Sequence, residues 1–238
     1  MCFHTTQKTT AKDLKKFFNL PMIAEEEHTL FHHVNGFDHP KLAVIARYGE
    51  LALHHFRWGL IPPFIKNFDD ALKISHQTLN AKSESIFEKP SFRNCIMKQR
   101  CVIPVNGFFE WKHVGKDKLP FFIHPKSHEF FLLAGIYSHW MDTQHNELIN
   151  TFSIITTEAN ELMADIHNTK KRMPLILDQR NMNDWIDDEL PKTSVIELMQ
   201  GCDDINMAAH PVSKILSSKT VNSDIPEITE PVDSYTLF

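Results

Sequence analysis

Apolar residues recur along this chain in two kinds of block. The commoner kind is dense in Phe, Ile, Val and Leu and bounded by polar or proline-containing turns: Leu42 to Tyr48, Leu51 to Trp58, Arg100 to Trp111, Leu119 to His124, Phe130 to Trp140, Thr151 to Thr157 and Arg172 to Leu177. Runs of that length and make-up predict strands. Gly49-Glu50 joins the first two as a hairpin, and Pro62-Pro63 ends regular structure after the second. In the other kind, apolar positions fall three or four apart. Leu14, Phe17 and Phe18 predict a helix over Thr9 to Leu20, capped by Thr9 or Thr10 and stopped by Pro21. Leu162, Met163 and Ile166 predict a second from about Ala159 to His167. A short helical stretch taking in Ile86 and Phe87 is expected to open at Asn80, another around Trp185, and another over Ser194 to Gln200, ended by Gly201. Beyond His210 the chain is polar, carries Pro226 and Pro231 and reads as extended, with its last residues loose. No repeat or linker-like stretch divides it. The pattern predicts one α+β domain over residues 2–228, a largely antiparallel β-barrel-like core flanked by short helices, with a tail at 229–238.

Composition narrows the function classes. With 238 residues, 42% hydrophobic and 23% charged, the chain can bury a sizeable core. Only 7 residues are glycine, and neither GxGxxG nor GxxxxGK[ST] occurs, so a glycine-cradled nucleotide is not expected. A formal charge of −5 argues against a broadly basic nucleic-acid coat and leaves room for a local basic groove. The 4 cysteines (Cys2, Cys95, Cys101, Cys202) form no CxxC pair, and no apolar run approaches the roughly 18 residues of a membrane helix. The reading is a reduced, cytoplasmic protein, monomeric and away from membranes. The 15 histidines show neither HExxH nor finger spacing, and His32-His33 and His54-His55 would face opposite ways in a strand. Neither a metal nor a cofactor is expected.

The chemistry begins at the amino end, Met1-Cys2-Phe3-His4. A residue as small as cysteine at the second position permits removal of Met1, which leaves a 1,2-aminothiol. Its amine titrates near ~8 and its thiol near ~8.5, so both nucleophiles are accessible at neutral pH. Such a pair converts an aldehyde to an imine and then to a five-membered thiazolidine. With an ester or amide it would act as an N-terminal nucleophile with a built-in base. Glu110 interrupts the apolar run Val105-Asn106-Gly107-Phe108-Phe109-Glu110-Trp111. It is either a solvent-facing residue or partner of Lys112, or a buried carboxyl whose raised pKa suits proton transfer. Asn80 either caps a helix or aims an amide at a reacting oxygen. His167 either complements a helix C-terminus or acts as acid and base beside Lys170-Lys171-Arg172, the densest positive patch in the chain. Trp58 and Phe87 are packing residues or stacking surfaces.

Taken in order, Cys2, Trp58-Gly59-Leu60-Ile61-Pro62, Asn80-Ala81-Lys82-Ser83-Glu84, Arg100-Cys101 through Gly107-Phe108-Phe109-Glu110-Trp111, and His167 with Arg172-Met173-Pro174 resemble the SOS response-associated peptidase (SRAP) family. Thr151 to Asn160 and His210-Pro211-Val212-Ser213 to Val221-Asn222 look like it too, so the likeness spans nearly the whole chain. The resemblance implies a single α+β domain around a barrel-like core. It also implies covalent crosslinking of Cys2 to abasic sites in single-stranded DNA, removal of the protein's own initiating residue, and Asn80, Glu110 and His167 as active-site partners. Abasic single-stranded DNA would be the partner, with nucleoid association when damaged DNA is bound. His4 stands where the family commonly has arginine, so a phosphate contact would pass to it, and Lys82 replaces the arginine of Asn-Ala-Arg. Further DNA contacts are expected from Lys82, Arg93, Arg100, Lys170, Lys171 and Arg172, with Trp58 as wedge or stacking surface. The alternatives are an N-terminal cysteine hydrolase or peptidase acting on other substrates, and a non-covalent reader of modified or single-stranded DNA.

Overall fold

A computed structural model describes residues 2–199, 207–218 and 220–232. Met1, Cys202, the helix end expected at Gly201 and residues 233–238 of the expected tail lie outside these. Five strands close into a barrel: β3 (Lys41–Tyr48), β4 (Glu50–Trp58), β6 (Arg100–Val105), β9 (Phe131–Asp142) and β10 (Glu147–Glu158). Each pairs antiparallel with the next except where β4 meets β10, which run parallel. Gly49, at φ +78°, makes the β3–β4 turn as the sequence predicts. Short strands extend the ring: β5 (Asn80–Lys82) and β11 (Arg172–Pro174) on β10, and β12 (Ile176–Leu177) on β9. A second, wholly antiparallel sheet has the order β13 (Met207–Pro211), β8 (Asp117–Pro125), β7 (Gly107–Val114), β1 (His4–Gln7), β2 (Phe31–Asn35). Six short α-helices are described: α1 (Ala11–Phe18), α2 (Phe68–Gln77), α3 (Cys95–Lys98), α4 (Glu161–Ile166), α5 (Met182–Ile186) and α6 (Lys192–Leu198).

Barrel strands serve two cores at once. Leu42, Val44 and Ala46 of β3 join one cluster with Phe56, Trp58 and Phe108, whereas Ala43 and Ile45 join another with Leu14, Ile96 and Trp185. Burial of both faces is why these strands read as continuous apolar runs.

Several expected elements are corrected. Arg100 to Trp111 is two strands, because Asn106 turns the chain out of the barrel: its N–H donates to Thr6 O (3.0 Å) and its Oδ1 accepts from Lys8 N (2.8 Å). Arg172 to Leu177 also divides, at Leu175, which donates to Ile155 O of β10 and accepts from Ala134 N of β9. Asn80 opens no helix. It lies in β5, level with Ile154, ahead of a 3-10 turn at Ser83–Ser85. Helices α2 and α3 and strands β1 and β2 are additions to the elements that the sequence pattern predicts. Thr5, Thr6 and Gln7 of β1 are polar yet buried, because each side chain is hydrogen-bonded to backbone.

Gln7 has a further part. β3 and β6 pair directly at Ile45–Val102 and Ala46–Cys101, and the same register brings Ala43 level with Pro104. Pro104 has no N–H to offer. The Gln7 carboxamide fills the gap, donating to Ala43 O (3.0 Å) and Pro104 O (2.8 Å) and accepting from Ala43 N (2.8 Å). The strand that follows Cys2 is thereby fastened to the barrel wall.

Candidate active site around Cys2

Cys2 is wholly buried in the core cluster that includes Trp58, Ile154 and Met163. Strand β1 pairs with β7 at His4–Phe109 and Thr5–Phe108, and that register carried outward sets Phe3 beside Glu110. Phe3 O accepts from Gly36 N at 2.7 Å, holding the amino end against the end of β2. From the far side, Asn80 donates its Nδ2–H to Cys2 O at 3.0 Å. Its Oδ1 is buried with no hydrogen-bond partner among the described residues. An unsatisfied buried amide oxygen costs about 1–3 kcal/mol, which is easier to understand at a site that receives a donor than in an ordinary core.

Glu110 is 6% exposed, and burial raises its carboxyl above the ordinary carboxylate range. His167 is the first residue beyond α4 and equally buried. Its Nδ1 lies 2.8 Å from Arg172 O and 3.9 Å from Glu110 Oε1. A carbonyl only accepts, so Nδ1 carries a proton and directs it at Arg172 O. Burial, and after it the Glu110 charge, pushes the Cys2 thiol well above its ordinary value. The site therefore holds a protonated thiol, a carboxyl held above its ordinary range, an imidazole whose Nδ1–H is fixed on Arg172 O and an unpaired amide oxygen.

The expected DNA contacts divide. Lys82, Arg93, Lys170 and Lys171 are exposed. Lys82 stands two residues before Glu84, and Lys170 and Lys171 directly precede Arg172, which is paired with Glu84, so these three lysines share a flank. Arg93 follows Phe92, a member of the cluster on the barrel's other face. Arg100 is a correction: it is 2% exposed, and its guanidinium donates to the carbonyls of Ile96, Met97, Trp185 and Asp187. Trp58 is another, fully buried, with its Nε1–H on Leu79 O (2.9 Å) and its ring stacked on Phe152, leaving no face for a base. Arg172 is partly buried, and Glu84 pairs with both of its Nη atoms. His4 is a third correction. Its Nδ1 meets His33 Nε2 at 2.9 Å, and burial lowers it to about 3 and His33 to about 4, so neither offers a positive charge at neutral pH.

Two features escaped the sequence reading. Glu84 falls within a quoted motif, but nothing in the sequence pairs it with Arg172. Phe37, 43% exposed, packs its ring 4.9 Å from Phe3, and an aromatic after Gly36 is too common a signal to single out.

Fold and site define an α+β barrel protein that buries a cysteine one residue from its amino end among an amide, a carboxyl and an imidazole. A sequence model of the family described as SOS response associated peptidase (SRAP) matches residues 1–219. The chain belongs to that family. It is 41% identical over 180 residues to the abasic site processing protein YoqW of Bacillus subtilis (strain 168), covering 75% of this chain and 76% of the relative. It is 33% identical over 205 residues to the abasic site processing protein HMCES of Gallus gallus, covering 77% of this chain and 59% of the relative. A crystal structure of a protein from Bacteroides thetaiotaomicron superposes with a TM-score of 0.91 at 36% identity, covering 97% of this chain and all of that one. No helix among the described residues is long and apolar enough to cross a membrane.

Proposed function

We propose that this protein processes abasic sites in single-stranded DNA by forming a covalent thiazolidine between Cys2, freed by loss of Met1, and the open-chain sugar aldehyde. The observation that carries the reading is the meeting at Cys2 of Asn80, 3.0 Å from its carbonyl, and of Glu110, whose charge acts on the thiol and whose carboxyl lies 3.9 Å from the buried His167. The names of the relatives supply the substrate class.

The amine acts first, because the buried thiol holds its proton. It attacks the aldehyde carbon while Asn80 Oδ1 accepts an N–H and fixes the approach. Glu110, whose carboxyl burial holds above its ordinary range, donates a proton as the carbinolamine loses water, giving the imine. The thiol then passes its proton to His167 Nε2 or Glu110, sulfur adds to the imine carbon, and the ring nitrogen regains a proton. Aldehyde and aminothiol yield thiazolidine and one water. Ring closure makes the adduct durable, whereas a bare imine hydrolyses or permits strand cleavage by β-elimination. With no base to read, backbone contacts suffice, and Lys82, Arg93, Lys170 and Lys171 are the candidates. The protein would act as a cytoplasmic monomer, nucleoid-associated when bound to damaged DNA.

The test is denaturing electrophoresis of the protein with a single-stranded oligonucleotide bearing one abasic site, alongside intact-mass measurement of the amino end. Wild type lacking Met1 is expected to give a denaturation-resistant band and Cys2→Ala none. Equal bands from the two proteins, or retained Met1 in a crosslinking sample, would refute the assignment. Peptide or amide turnover without DNA would favour the hydrolase alternative.

A further inference from the structure

The Glu84–Arg172 ion pair lies outside the four side chains gathered at Cys2, yet it joins the segments that carry two of them. Glu84 belongs to the 3-10 turn directly after β5, whose first residue is Asn80. Arg172 opens β11, at the end of the turn by which the chain leaves His167. The pair is a bidentate fork, Nη1 to Oε1 at 2.8 Å and Nη2 to Oε2 at 2.9 Å, and Nη2 also donates to Thr156 O on β10 at 2.7 Å. A fork of this kind fixes the plane of the guanidinium as well as its distance.

The backbone seats Arg172 in part: β11 pairs with β10 at Glu158–Arg172, Lys171 N donates to His167 O at 2.9 Å and Ala159 N to Lys171 O at 3.0 Å. β11 is only three residues long, and Lys171 before it sits at φ +48°, a left-handed conformation that disfavours non-glycine residues. Yet the Arg172 carbonyl receives the His167 Nδ1–H at 2.8 Å. If that carbonyl moves, the ring can carry its proton on either nitrogen, or turn Nδ1 toward Glu110 Oε1, now 3.9 Å away. Charged groups on the elements around the imidazole are Glu110 and Lys112 on β7, Glu161 and Asp165 on α4, and Arg172 on β11; Lys112 is already paired with Asp165.

We propose that Glu84 is a positioning residue for His167: by clamping Arg172 it holds the carbonyl that keeps the imidazole proton on Nδ1 and leaves Nε2 as the basic nitrogen. Its kinetic consequence rests on the function proposed above, but the tautomer can be read without DNA. Glu84 itself is half exposed, so its removal is expected to perturb the tautomer far more than the fold.

The experiment compares wild type, Glu84→Gln and Glu84→Ala by long-range 1H–15N NMR of the histidine rings, with His167→Asn identifying the signal. Crosslinking rates and affinity for an oligonucleotide lacking an abasic site are measured alongside. Wild type is expected to show His167 as the Nδ1–H form, and both variants a mixture of tautomers. Crosslinking in both should slow by about tenfold, part of the 10²–10⁴ that positioned acid–base groups contribute. Affinity for the intact oligonucleotide should change by less than about twofold, since Glu84 makes no claimed DNA contact. An unchanged tautomer overturns the inference whatever happens to the rate, including the case where Glu84 merely keeps Arg172 off phosphate and affinity rises. A shifted tautomer with an unchanged rate in a crosslinking wild type overturns it as well. A wild type that never crosslinks removes the proposed function, and the tautomer comparison then decides on Glu84 alone.

Discussion

Replacing Gln7 with leucine keeps the side-chain volume and removes every hydrogen bond by which β1 is fastened between β3 and β6. Ala43 N, Ala43 O and Pro104 O lose their carboxamide partner at a residue 1% exposed. A buried backbone group left unpaired costs about 1–3 kcal/mol, and relaxation or an entering water recovers part of it. The expected loss is roughly 3–6 kcal/mol, a large share of the 5–15 kcal/mol typical of a folded domain. Urea unfolding followed by tryptophan fluorescence measures it. The midpoint should fall at unchanged slope, because the surface exposed on unfolding stays the same. A loss below about 1 kcal/mol would show that β3 and β6 close on each other without the carboxamide, and the account of the seam would fail.

Two further outcomes follow from the site. Burial holds the Glu110 carboxyl above its ordinary value, so the folded state binds that proton more tightly than the unfolded chain does. That contribution is complete below the ordinary carboxylate range and is lost as pH rises through the folded value. Glu110→Gln should therefore lose crosslinking yet gain melting temperature relative to wild type, by a margin that widens from pH 4 to pH 8; a constant or shrinking margin contradicts burial as the dominant cause. Trp58→Phe removes the Nε1–H bond to Leu79 O and should cost about 0.5–1.5 kcal/mol in thermal unfolding. Its affinity for single-stranded DNA should match wild type, and a clear loss would restore Trp58 as a stacking surface.

The barrel was legible because its strands are buried on both faces and written in Phe, Ile and Val. Boundaries failed where one polar or proline residue redirects the chain, as Asn106 does between two sheets. Strand β1 was illegible for a different reason. Thr5, Thr6 and Gln7 look like a solvated segment, and only the backbone groups around them, brought from β2, β3, β6 and β7, make their burial tolerable. At the site, Cys2, Glu110 and His167 could be picked from residue chemistry and the resemblance, whereas their distances depend on register. Arg100 and Trp58 misled because an arginine and a tryptophan in a DNA-processing context invite surface roles. Here the guanidinium saturates four carbonyls and the indole donates inward.

In the reaction proposed above, the cover over the Cys2 sulfur would guard a nucleophile that each molecule can use only once. Peroxides and disulfides are attacked by thiolate, and a protonated, enclosed thiol offers them almost none. Glutathione mixed disulfides and sulfenic acid would each consume the molecule without a lesion being found. On the proposed reaction, the same dry surroundings that slow the sulfur's own attack would hold it in reserve until an aldehyde had been caught by the neighbouring nitrogen.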